Sequence, residues 1–282
     1  MSGFLAGNGG YNGGYNGGYN GGYNGGYAGL ARLADGATLT PAPDKLPALS
    51  PQPFPTAAWA PELRAQVVLA GLSGEWRDLA CPDPPADAAT LRGELRHLMD
   101  LASKLRATRL GEILAQSVAL DGPFLNLLAA DPAARPATCA LVATGIVVGQ
   151  AAGMHWKWHH QRPRPAHLYP ALMPVLPTPP HASFPSNHAL QARLCARLLQ
   201  GALGLEDDHP FVTHALLDLA DRIAENREIA GLHFPSDSDC GRTLADALAP
   251  LVVASAAGEA LLEQAKAEWA GMAFDAVPLA TP

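Results

Sequence analysis

Three short groups of polar residues in the second half of the chain have types and spacings suited to holding an oxyanion. Lys157 and Arg164 are seven residues apart, so both cationic heads point the same way if a helix continues that far. Ser186-Asn187-His188 is predicted to begin a helix, where free backbone N–H groups and the positive end of the helix dipole attract an anion.

The third group places a histidine and a carboxylate at helical spacing. Arg227 is followed by His233 and then by Asp237. A carboxylate four residues after an imidazole can accept its Nδ1–H, which fixes the ring tautomer and leaves Nε2 as a nucleophile or a ligand. The cation pair, the helix start and the oriented histidine together predict a site that handles a small oxyanion.

The charge distribution favours a small anion over a long polyanion. With 19 Lys and Arg against 26 Asp and Glu, the 282-residue chain has a net charge of −7, which argues against a nucleic-acid binder. Between Pro132 and Leu205, however, there is no Asp or Glu, and this segment carries +6 while the remainder carries −13. We expect its cations to be unpaired and to surround one pocket.

The elements that must position these groups are predicted to be helices. Leucines from Leu91 to Leu105 recur at steps of three and four, and no alternating run of strand length occurs, so the predicted fold class is an all-α helical bundle. Residues 163–185 contain eight prolines and are predicted to form a long irregular loop beside the site. A last helix is predicted from Ser236 to Trp269.

Composition divides the chain into three parts. Residues 1–29 contain five tandem Asn-Gly-Gly-Tyr units and are predicted to be disordered. Residues 30–56 form a Pro-rich connector, and residues 57–282 form the helical catalytic domain.

Solubility and location are predicted from apolar stretches. Ala137 to Met154 is uncharged over 18 residues, at the lower limit for crossing a bilayer, and no second stretch matches it. It is interpreted as a buried bundle helix. With no basic, apolar leader at the N-terminus, we expect a soluble, cytoplasmic protein without transmembrane anchoring, and a homo-oligomer is compatible with the sequence. The four widely spaced cysteines are interpreted as buried thiols.

The three groups together resemble a known signature. Lys157-x6-Arg164-Pro165, Pro185-Ser186-Asn187-His188 and Arg227-x5-His233-x3-Asp237 are similar to the motifs shared by type 2 phosphatidic acid phosphatases, class A acid phosphatases and vanadium-dependent haloperoxidases. The family usually has Gly where this chain has Asn187 and Ser where it has Asn226. The Asn187 side chain is expected to narrow the pocket.

The resemblance implies hydrolysis of a small phosphomonoester through a phosphohistidine, with no metal and no cofactor. It implies that His233 attacks phosphorus, that Asp237 holds the ring, and that His188 protonates the leaving oxygen. The implied phosphate-binding residues are Lys157, Arg164, Ser186, Asn187 and Arg227. Arg162, beside Pro163, is predicted to be a loop charge.

Two alternatives remain open at this stage. The same constellation would bind vanadate with His233 as its ligand, which is the haloperoxidase variant of the site, using peroxide and halide. A third hypothesis is an assembly protein driven by the Tyr-Gly tail, with a degenerate site. The expected partner is a small phosphorylated substrate or oxyanion, and no nucleic acid.

Overall fold

A computed structural model describes residues 59–205 and 210–272, together with Pro55. Throughout this part of the chain the regular elements are helices and no strand is present, which confirms the all-α fold class. In chain order they are α1 (Pro61–Gly71), α2 (Ala88–Val118), α3 (Gly122–Leu127), α4 (Pro136–His160), α5 (Pro165–Leu168), α6 (Asn187–Leu203), α7 (Pro210–Ile229), α8 (Pro235–Ala254) and α9 (Ala256–Trp269), with 3₁₀ turns at Gly74–Asp78 and Pro170–Leu172. The repeat tail and nearly all of the connector lie outside the described residues, so the predictions for them stay predictions.

Helices α4 and α6 form the centre of the bundle. Helix α4 packs on α1, α6 and α9, and α6 packs in addition on α7 and α8. Gly145, Gly149 and Gly153 form one face of α4 toward α6. A Cβ at Gly145 would lie 2.6 Å from the Cys195 sulfur, so only hydrogen at that position allows the two helices to approach this closely. This approach fixes where the N-terminus of α6 lies relative to α4.

The long helix α2 begins at a side-chain cap. Asp87 accepts hydrogen bonds from the backbone N–H groups of Ala89 and Thr90, at 3.1 and 2.8 Å. In the predicted leucine stripe Leu98 is fully buried and the other members are partly buried. The helix packs against α7, which brings its middle portion to the back of the site.

The predicted last helix is two helices. Helix α8 starts at Pro235, one residue before the expected Ser236, and ends at Ala254. Ser255 then caps α9 by accepting from the Gly258 N–H at 3.1 Å, and the axes bend by 90°. The predicted single helix is divided because the Ser255 side chain caps the start of α9, which competes with continuation of α8.

Candidate active site

The centre of the site is a buried imidazole–carboxylate pair at the start of α8. His233 lies in the turn between α7 and α8, and its Nδ1 is 3.0 Å from Oδ2 of Asp237. Asp237 also accepts the Phe234 N–H at 3.0 Å and the hydroxyl of Ser183. These donors fix the carboxylate, and the carboxylate orients the ring as the spacing predicts.

The second ring nitrogen of His233 faces a guanidinium. Nη1 of Arg164 lies 3.4 Å from Nε2. Burial, followed by the Arg164 charge, lowers the pKa of His233 well below its usual range, so the ring is neutral. The hydrogen-bond network assigns the proton to Nδ1, which leaves the Nε2 lone pair directed at the cation.

Arg164 is held rigidly, although no carboxylate in the part of the chain that the structure describes touches it. Its Nε donates to the His181 carbonyl and its Nη1 to the Leu232 carbonyl, both at 2.9 Å, and Nη2 lies 3.1 Å from the His181 ring. Burial lowers the pKa of Arg164 to about 10, so it remains charged at neutral pH. Its positive charge is therefore positioned by neutral groups, and the charge of Asp237 favours its protonated form.

Lys157 fixes the Pro-rich loop. Its Nζ donates to the backbone carbonyls of Ala182, Ser183 and Pro185 at 3.0, 2.7 and 2.5 Å, which uses all three of its protons. Burial and the Arg164 charge lower its pKa well below the usual range. Lys157 and Arg164 do converge, because both donate to the Ala182 carbonyl.

That convergence does not come from the predicted helical stacking. Helix α4 ends at His160, and Gln161 has a left-handed backbone with φ of 52°. Arg164 instead caps the short helix α5 within the irregular loop. The loop carbonyl, rather than a shared helix face, brings the two cations together.

Two helix N-termini meet at the site. Ser186 is the N-cap of α6, accepting the Ala189 N–H at 3.4 Å, and its own N–H donates to the Asp237 carbonyl at 2.9 Å. This bond joins the start of α6 to the first turn of α8. The positive ends of both helix dipoles therefore point toward the same region.

The Asn187 side chain packs against α4. Its Nδ2 donates to Oε1 of Gln150 at 2.7 Å, while its buried Oδ1 has no partner among the described residues. That oxygen occupies the space beside Gly153, where a Cβ would be only 2.1 Å away. The side chain thus fills the groove between α4 and α6, a position that the expected narrowing of the pocket did not anticipate.

We expect Gly153→Ala to lower the free energy of unfolding by about 1–3 kcal/mol, because the new methyl group displaces Asn187 and with it the start of α6. Adding Asn187→Gly should restore part of the loss by opening the groove. Urea denaturation measures both, with Gly93→Ala as control, since a Cβ at Gly93 meets nothing within 4 Å. If the changes in the free energy of unfolding caused by the two substitutions simply add in the double variant, this packing is contradicted.

The remaining predicted residues lie toward α2. Nε2 of His188 is 3.3 Å from the Gln116 carbonyl, and burial together with the Arg227 charge lowers the pKa of His188 to about 3. Arg227 donates from Nη2 to the Ile113 carbonyl at 2.9 Å, and burial lowers its pKa to about 10. Its buried Nε–H has no partner among the described residues, so one donor is available for a ligand.

His188 and Arg227 belong to the same electrostatic environment as the first group. The charges of Lys157 and Arg164 also contribute to the lowered pKa of His188. The structure therefore gathers the predicted residues into two neighbouring clusters, one around His233 and one around His188.

Arg162 is a functional candidate that the sequence analysis misplaced. It is buried rather than a loop charge, and its Nη1 donates to Asp237 Oδ1 at 2.6 Å and to Ser236 at 2.8 Å. Its Nη2 donates to Glu94 at 2.8 Å. These partners lie 68 to 75 residues away in the chain, beyond the reach of local spacing. Ser183 and His181 were missed in the same way.

The expected set of unpaired cations is also partly wrong. Arg193 and Arg197 both bind Asp246, at 2.9 and 2.7 Å, and Arg162 is paired as described. Burial raises the pKa of Asp237, but the hydrogen bond from His233 and the charges nearby outweigh it and lower the pKa to about 2. Within the described ranges, the site cations that have no carboxylate partner are Lys157, Arg164 and Arg227.

A cavity of about 290 Å³ reaches the outer edge of the site. The Pro-rich loop forms its wall, as the sequence predicts, and Arg164 and His181 are among its lining residues. The volume is near the lower end of the range for small-molecule pockets.

Comparison with known proteins gives matches among solved structures only. No protein-family model matches the chain, and no curated protein matches it. The chain is similar to the crystal structure of a transmembrane PAP2-type phosphatidylglycerolphosphate phosphatase from Bacillus subtilis, with 17% identity over 68% of this chain and 82% of that one, and a TM-score of 0.33.

The similar protein is a PAP2-type phosphatase, one of the groups whose motifs the sequence resembles. The comparison does not address the class A or haloperoxidase subtypes, and it does not address the phosphohistidine mechanism.

The expectation of a soluble, cytoplasmic protein without transmembrane anchoring is corrected by the helices of this chain. The stretch Pro136–Leu168 is long enough to cross a membrane, and an 18-residue window within it has a mean hydropathy of 1.6. Most of this window, 78%, is buried within the structure. Helices α8 and α9 pass the same test together as a bent pair; they contain charged residues, so the prediction that no second uncharged, apolar stretch of this length occurs still holds.

Proposed function

We propose that this chain is a metal-independent phosphatase that hydrolyses phosphomonoesters through a phosphohistidine. The observation that carries the proposal is the environment of His233. Its ring is neutral, Asp237 holds it through Nδ1, and its Nε2 lies 3.4 Å from the Arg164 guanidinium. A phosphate bound to that cation brings its phosphorus close to the Nε2 lone pair.

Phosphoryl transfer then proceeds in two steps. The Nε2 lone pair forms a bond to phosphorus while the bond from phosphorus to the ester oxygen breaks, and Asp237 stabilises the positive ring. Water next attacks phosphorus, the P–N bond breaks, phosphate leaves and the neutral ring is restored. Arg164 and the free Nε–H of Arg227 stabilise the equatorial oxygens, with the charge of Lys157 behind them.

His188 supplies and removes the proton in this scheme. Without a bound anion, its pKa of about 3 makes it neutral. The negative charge of a bound phosphate opposes the Arg227 charge and raises that pKa, so His188 can protonate the departing ester oxygen and later accept a proton from water.

We expect the His188 ring to stay neutral above about pH 4 without vanadate and to titrate at a higher pH once vanadate is bound. Its charged form is disfavoured by burial and by Arg227 until an anion arrives. Titration of the ring C–H signals by NMR measures both states. An unchanged His188 titration with vanadate bound would remove this residue from the mechanism.

The function is tested by two assays on one preparation of the full chain. Hydrolysis of p-nitrophenyl phosphate should persist in the presence of a metal chelator and be inhibited by vanadate, which binds the same site. Bromination with vanadate and peroxide, without phosphate hydrolysis, would instead favour a haloperoxidase. Loss of hydrolysis on chelation, or the absence of both activities, would overturn the proposal.

A further inference from the structure

Two of the four cysteines are brought together by the fold. Cys81 and Cys240 are 159 residues apart in sequence, and their sulfur atoms lie 3.0 Å apart. This is closer than the roughly 3.5–4.0 Å at which nonbonded carbon atoms pack, although sulfur is the larger atom. Both residues are free thiols in the structure, as are Cys139 and Cys195.

The pair connects two parts of the bundle that the backbone leaves far apart. Cys81 lies in the extended segment between the turn Gly74–Asp78 and α2, and Cys240 lies on α8 one turn after Asp237. Cys240 is buried in the main apolar core, and Cys81 packs against that core while remaining partly exposed. A bond here would fasten the segment that leads into α2 to the helix that carries Asp237.

We propose that Cys81 and Cys240 form an intramolecular disulfide that ties the segment before α2 to α8. The oxidant is a small disulfide such as oxidised glutathione. The Cys81 thiolate attacks one of its sulfurs and releases a first thiol; the Cys240 thiolate then attacks Cys81 Sγ and releases the second. Two protein thiols are thereby oxidised, and one acceptor disulfide is reduced to two thiols.

The order of attack follows from exposure and acidity. The hydrogen bond with Cys81, followed by burial, raises the pKa of the Cys240 thiol, whereas Cys81 is accessible to the oxidant. The closed loop spans 159 residues, so the bond removes a large share of the freedom of the unfolded chain. Its main effect is therefore on stability. The inference is independent of the proposed phosphatase activity.

The test compares the full chain after oxidised glutathione with the same chain after a phosphine reductant, each alkylated in denaturant. We expect four alkylated cysteines in the reduced sample and two in the oxidised one, with a cross-linked peptide containing Cys81 and Cys240. The oxidised protein should melt about 10 °C higher.

Two variants separate this bond from other thiol chemistry. Cys81→Ser should abolish both the protection from alkylation and the redox-dependent melting shift. Cys139→Ala, which removes another buried thiol, should preserve both. Four reactive cysteines after oxidant treatment, a cross-link that involves Cys139 or Cys195, or a melting shift that survives in Cys81→Ser would overturn the proposal.

Discussion

Replacing His233 by alanine should lower hydrolysis of p-nitrophenyl phosphate by at least about a thousandfold, because the proposed covalent intermediate can no longer form. The fold should survive, since the ring makes its hydrogen bond to a carboxylate that keeps other donors. Steady-state kinetics measure the loss, and circular dichroism and the melting temperature report on the fold.

A matched histidine control is available on α4. His159 is exposed on the last turn of that helix, so His159→Ala should leave kcat within about twofold of the unaltered chain. Rapid quenching with radiolabelled substrate provides a second measurement, because a phosphohistidine should accumulate in the unaltered chain only. Substantial hydrolysis by His233→Ala would exclude this residue as the nucleophile.

Asp237→Asn should reduce kcat by about 10²–10⁴ and also destabilise the fold. The amide of asparagine can donate to Nδ1, which favours the ring tautomer with the proton on Nε2 and removes the nucleophilic lone pair. It also leaves buried Arg162 with Glu94 as its only carboxylate partner among the described residues. Removing one member of a buried ion pair costs about 3–5 kcal/mol.

The pH dependence of stability separates these two effects. The pKa of Asp237 is lowered to about 2, so its contribution is complete above the ordinary pKa of about 4 and is lost as the pH falls toward 2. Urea denaturation at several pH values should therefore show a steeper acid loss in the unaltered chain than in Asp237→Asn. The exposed Asp239→Asn on the same helix should retain the full acid slope.

Local rules were enough to predict much of this structure. Proline and serine signals placed the start of α6 at Ser186, and the four-residue step from His233 to Asp237 anticipated their hydrogen bond. Both depend on residues within a single turn of helix. The leucine stripe gave the buried face of α2 for the same reason.

Features that depend on distant segments could not be read in this way. The bonds from Arg162 to Asp237 and Glu94 join three separate elements, and only the packed bundle shows that this arginine is buried. Asn187 was expected to narrow the pocket because it lies between the predicted site residues Ser186 and His188. Its side chain instead fills a space beside Gly153, which lies on another helix. The apolar pair formed by α8 and α9 was not found because charged residues such as Asp246 and Glu259 interrupt it in the sequence.

The way Lys157 and Arg164 are held has a consequence for folding. Backbone carbonyls accept hydrogen bonds from both, but carbonyl dipoles carry no net charge, so the two cations repel each other when no anion is bound. A bound dianion offsets that repulsion. Anion binding and folding are therefore coupled, and an anion at a hundred times its dissociation constant would add about 2.7 kcal/mol to stability, which would make inorganic phosphate a folding aid for this chain as well as the product of the proposed reaction.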